Sequence, residues 1–61
     1  MDELFEIPLS EQIRCVEREI GMREKAYPRW VSANRMPAMK ADREIATMRA
    51  VLATLKKLEV P

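Results

Sequence analysis

The sequence predicts an all-α fold: an antiparallel two-helix hairpin with an extended N-terminal arm, oligomerising into a helical bundle. Three observations carry that expectation. The 61 residues include a single Gly, while 34% are charged and 48% hydrophobic, the composition of helical chains. Apolar residues recur at spacings of three and four in two separate runs. A loop signal, Ser32-Ala33-Asn34-Arg35 followed by Pro37, divides those runs.

Residues 1–9 read as the arm, and residues 10–61 as the helical hairpin. Ile7 precedes Pro8, which biases Ile7 toward extended geometry. Leu4, Phe5, Ile7 and Leu9 are apolar, so the arm is expected to dock rather than hang free. Ser10 is the expected N-cap, with Glu11 in the favoured first turn. Ile13, Val16, Ile20, Arg23, Tyr27 and Trp30 then form a heptad seam in which Arg23 is the one charged member. Gly21 weakens this helix by about 1 kcal/mol relative to Ala. Pro28 removes one donor and clashes with the Glu24 carbonyl, so a kink with one further turn is expected.

Asn34 is the expected left-handed cap, and Pro37 suits the first turn of the next helix. Ala38, Ala41, Ile45, Met48, Leu52 and Leu55 make a second seam without interruption, widened by Val51 and Leu58. A turn near Asn34 sets Arg23 beside Ile45 and Met48, with Glu44 in reach, and Trp30 against Ala38 and Ala41. Met39 and Met48 are expected as core filler. Two helices of this size leave much apolar surface in water, and so small a core rarely yields more than about 3–5 kcal/mol. A homo-oligomer is the expected remedy, most simply a dimer forming a four-helix bundle.

The residue inventory removes many function classes. The length leaves no room for a dinucleotide fold or a sandwich. The absence of His and the lone Cys15 remove the usual zinc sites, so no metal ligands are expected. Cys15 has no His to activate it and flanks an apolar seam, where it reads as a small packed hydrophobe. Glu17 and Glu19, like Asp42 and Glu44, stand two apart on a helix and diverge. One Gly cannot build a phosphate loop. No catalytic residues, no cofactor and no enzyme activity are therefore expected. The chain has no run of 18 apolar residues, and Met1-Asp2-Glu3 lacks a signal-peptide layout. With a single Cys, that points to the reducing cytoplasm and away from a membrane.

Charge is uneven, although the net value is +1. Residues 1–12 carry Asp2, Glu3, Glu6 and Glu11 and no base. Residues 23–43 carry Arg23, Lys25, Arg29, Arg35, Lys40 and Arg43 against Glu24 and Asp42. The two regions can attract each other, within one chain or between copies. Arg23 on the seam needs a partner, and two are open to it. It can pair with Glu19 or Glu44 to fix register, or it can hold an anionic ligand. Tyr27-Pro28-Arg29-Trp30, followed by Arg35, concentrates aromatic rings and guanidinium groups. That chemistry suits stacking on nucleobases and bidentate bonds to phosphate, or anchoring a protein partner, or core packing.

Arg18-Glu19-Ile20, Met22-Arg23, Tyr27-Pro28, Val31, Arg35-Met36, Ala41-Asp42, Glu44-Ile45 and Met48 form a spaced set over residues 11–55. As a set it resembles a family of short phage and prophage proteins of unassigned function. Asn34 stands where such proteins often carry Gly, and Pro37 where they often carry Ser or Thr. The resemblance implies a phage-related helical protein of the host cytoplasm. Some phage proteins of this size resemble counter-defence factors that block a host protein or sequester a nucleotide signal.

The expected function is therefore binding. The leading expectation is an oligomer that captures an anionic nucleotide-type ligand through Arg23, Tyr27, Arg29, Trp30 and Arg35. The alternative is a protein–protein interaction module, an inhibitor of a host protein or an assembly factor, without a small ligand. Near-zero net charge argues against nucleic acid, whose affinity comes from many phosphate contacts.

Overall fold

The computed structural model describes residues 6–59, so Leu4 and Phe5 of the arm lie outside the described residues. Two helices pack against each other, α1 over Leu9–Ser32 and α2 over Ala38–Lys57. Among the described residues there is no strand.

The first helix starts earlier than Ser10 because Pro8 supplies the cap. Pro8 sits at φ −57° and ψ 145°, just outside the helix, and its carbonyl accepts the Glu11 and Gln12 N–H groups at 3.0 and 3.1 Å. The Gln12 side-chain amide reaches back to the Ile7 carbonyl at 2.8 Å. Ser10 falls inside the first turn and makes no capping bond. The arm's last residue, Leu9, is therefore helical. Pro28 is accommodated within α1, which continues for one more turn to Ser32.

The end of α1 follows its local chemistry. Asn34 adopts φ 60°, the only non-Gly positive φ among the described residues. Its N–H donates to the Val31 carbonyl at 3.0 Å, and the Arg35 N–H donates to the Trp30 carbonyl at 2.8 Å. These two bonds are the pair that defines a Schellman close. Pro37 then caps α2 rather than entering its first turn, with its carbonyl accepting the Ala41 N–H at 3.1 Å. Lys56 and Lys57 in the last turn of α2 complement its dipole.

The core is a single thin line. Ile13, Ile20 and Tyr27 of α1 and Ala41 of α2 are buried, and no side chain among the described residues is fully enclosed. Ile13, Ile20 and Tyr27 are seven apart, so the expected seam of α1 holds at those positions. The seam of α2 is shallower than its spacing predicts: Ile45, Met48, Leu52 and Leu55 are half-buried, and Ala38 is exposed. Met39 is 84% exposed and fills no core, and Cys15 is exposed rather than packed.

Register also differs from expectation. Arg49 pairs with Glu24, and Lys56 Nζ lies 3.4 Å from Glu17 Oε2. Both pairings centre the hairpin between Met36 and Pro37 rather than at Asn34. The cause is the Schellman close, which keeps Ala33, Asn34 and Arg35 bonded back to α1, so the chain reverses only afterwards. Arg23 is consequently level with Ala50, while Ile45 falls beside Tyr27, where it lines a small cleft with Val31, Ala38 and Ala41. Both ion pairs lie on one side of the helix interface. Stepping about 100° per residue around α1 puts Cys15, Glu19, Met22, Ala26 and Trp30 on the opposite side.

Candidate functional site: a groove along α1

Arg23, Tyr27, Arg29 and Trp30 line one open groove of about 550 Å³ on α1. Helical spacing explains why they meet, since residues three and four apart share a face. Met22 and Ala26 complete the apolar part of the lining, and Glu19 and Lys25 the charged part. Arg35 is not among the lining residues. It lies beyond the helix end, where its backbone N–H closes α1.

The two aromatic residues have exchanged the roles their spacing suggests. Tyr27 is 7% exposed and packs at the closed end of the hairpin, the place expected for Trp30. Trp30 is 43% exposed and its ring presents to the groove, not to Ala38 and Ala41. Their ring centroids are 5.5 Å apart with planes inclined at 39°, a favourable tilted contact. Tyr27 thus supports the Trp30 ring from the core side.

Arg23 does not need a partner on α2. Its Nη1 donates to Glu19 Oε1 one turn earlier, with the Glu19 carbonyl 3.5 Å away. The Glu19 carboxylate, and after it the Tyr27 hydroxyl, hold the guanidinium above its ordinary value. Both side chains of the pair remain about a third exposed, at 34% and 37%, so the pair is not a buried one. No ion pair among the described residues joins Arg23 to Glu44, or involves Lys25 or Arg29. The groove therefore combines an exposed indole, an apolar floor, one self-neutralised pair and two further cations.

Spacing along the seam gives no weight to Met22, Lys25 or Ala26 as lining residues. The signal that finds two of them is a second row, Cys15, Glu19, Met22, Ala26 and Trp30, running beside the seam at steps of four, three, four and four. A second open groove lies at the free end of the hairpin. Ile7, Cys15 and Val16 line it from one side and Val51 and Leu55 from α2.

Among the described residues no group of three His, Cys, Asp or Glu side chains could hold a metal ion. Among them, too, no helix is long and apolar enough to cross a membrane. Comparison with protein-family models, curated proteins and solved structures finds no match to this chain.

Proposed function

We propose that the protein works by binding, and that the α1 groove takes an anionic, ring-bearing ligand of the nucleotide class, sequestered by an oligomer. The observation that supports this is the meeting of Arg23, Tyr27, Arg29 and Trp30 around one groove with the Trp30 ring 43% exposed. A base stacking on an aromatic side chain gains about 1–3 kcal/mol. Arg29 and Lys25 supply charge for a phosphate. Arg23 keeps donors beyond those turned to the Glu19 carboxylate and carbonyl, since a guanidinium carries five. Tyr27 lines the groove at only 7% exposure, so its main part is to position Arg23 and Trp30. Arg35 enters only as a positive charge past the helix end. Sequestering a nucleotide signal in a host cytoplasm fits the resemblance to short phage proteins.

Trp30 is the only Trp in the chain, so its fluorescence reports the groove alone. Titration with mono-, di- and cyclic nucleotides should quench or shift that emission and release measurable heat. Arg29→Gln should weaken binding about tenfold or more, the scale of a charge-assisted hydrogen bond. Silence of both signals across the panel rejects the nucleotide reading.

A protein-interaction module is the second reading, and the free end of the hairpin favours it. Ile7 and Leu58 are 52% and 61% exposed there, and Val51, 43% exposed, lines the second groove together with Ile7. On that reading Val51→Lys abolishes partner capture while nucleotide titrations stay silent.

A further inference from the structure

We infer that single-stranded nucleic acid runs along the outward side of α1, with its phosphates on Arg14, Arg18, Lys25 and Arg29 and one base on Trp30. This lengthens the ligand of the nucleotide reading and rests on that reading at the Trp30 end; the row of cations does not depend on it.

The hairpin sorts its charge. Net charge is only +1, which counts against nucleic acid when the chain is taken as a whole. Folding redistributes it. The carboxylates of Glu17 and Glu24 turn to Lys56 and Arg49 on α2, and that of Glu19 turns to Arg23. Arg14, Arg18, Lys25 and Arg29 are all exposed, and none joins an ion pair among the described residues. At about 100° per residue these four fall within one strip roughly 60° wide, about 150° round from Ile13, Ile20 and Tyr27. Glu11, in the first turn, is the one carboxylate of α1 on that strip, and it stands before the row begins. Four cations in line, with the neighbouring acids turned away, repel one another and attract a ligand whose own charges repeat along a line.

The row has the dimensions of a strand's backbone. Arg14 to Arg29 spans about 22 Å along the axis, longer than one nucleotide. Within the pairs Arg14–Arg18 and Lys25–Arg29 the charges step by about 6 Å, comparable with successive phosphates of an extended strand. Gly21 lies between the pairs with nothing within 4 Å of an added Cβ, so the way from one pair to the other is open. Trp30 favours a single strand over a duplex. It presents to the groove that Lys25 and Arg29 also line, and its ring face can be met only by an unstacked base. A membrane fits less well, because the apolar seam of α1 packs on α2 and only Met22 and Trp30 remain as large apolar side chains exposed along that helix.

Fluorescence anisotropy with a labelled oligothymidylate of about twelve nucleotides reads the row, and Trp30 emission reads the groove. Four phosphate contacts give a slope of log affinity against log salt of about −2.8, so affinity should drop about 50-fold between about 50 and 200 mM salt. Arg14→Gln together with Arg18→Gln should halve the slope to about −1.4 and reduce that drop to about sevenfold. Circular dichroism should be unchanged, since both side chains are exposed. The same double variant should bind thymidine monophosphate as the parent does, read by Trp30 emission, because neither residue lines that groove. Oligonucleotide binding no tighter than the mononucleotide's, or unmoved by the Arg14 and Arg18 changes, overturns the inference and leaves the nucleotide reading in place. Oligonucleotide binding that needs both arginines, with no mononucleotide response, supports the inference and removes sequestration of a free nucleotide. Equal affinity for polyglutamate of the same length, or capture by phosphatidylserine vesicles but not by the oligonucleotide, overturns the inference.

Discussion

Asn34 gives the cleanest handle on how the hairpin is closed. The residue stands at φ 60° with two backbone bonds, Asn34 N–H to Val31 at 3.0 Å and Arg35 N–H to Trp30 at 2.8 Å, depending on that geometry. A left-handed conformation costs an ordinary L-residue about 1–2 kcal/mol, and Asn somewhat less. Gly carries no such steric cost, but it gives the unfolded chain more freedom to lose. Asn34→Gly should therefore stabilise by about 0.5–1 kcal/mol net, and Asn34→Val should destabilise by at least about 1 kcal/mol. At this chain length 1 kcal/mol moves a melting midpoint by about 4–8 °C. Thermal melts by circular dichroism at one fixed protein concentration should place Gly highest, Asn between and Val lowest. A Gly variant that melts below the parent, or a Val variant that matches it, would mean that the turn does not hold residue 34 in the left-handed region.

Further outcomes follow from the thinness of the core and the openness of the surface. Ile20 is 7% exposed, so Ile20→Ala should cost about 2–5 kcal/mol, as much as the hairpin has to lose, and urea titration should find it largely unfolded. Gly21 lies mid-helix with nothing within 4 Å of an added Cβ, so Gly21→Ala should raise stability by about 0.5–1 kcal/mol; a loss would show that something covers that side. Glu17→Gln and Glu24→Gln break pairs that are roughly half exposed, so each should cost under about 1 kcal/mol, with the effect fading in about 1 M salt.

The two helices, their loop and the left-handed cap are legible because each is written in local chemistry. Spacings of three and four are the signature of a helix face. Asn34 and Pro37 each have few conformations to choose from. Longer-range placement is harder to read. The register slips because the Schellman bonds carry three more residues along α1 before the chain reverses, and no spacing within either helix records that. The depth of α2 in the core is likewise hidden. Its unbroken seam states which residues face α1, but one partner helix can cover only part of them, and Ile45, Met48, Leu52 and Leu55 stay half-buried.

The site shows the same division more sharply. Tyr27 and Trp30 are both seam positions by count, yet three residues carry a helix through about 300°, so the second ring stands some 60° round from the first. A thin two-helix core is narrower than that, and it takes Tyr27 and leaves Trp30 in the open. Arg23 has the same displacement relative to Ile20, on the same side, which is why it finds Glu19 on its own helix and not Glu44 on the other. The feature that makes Arg23 conspicuous, a charge in an apolar seam, is thus a property of counting in sevens rather than of burial. Once the face is rotated to its true position, Arg23 and Trp30 belong with Glu19, Met22 and Ala26 on a surface that α2 does not reach. On the reading proposed above, that surface, and not the seam between the helices, is where this chain meets what it binds.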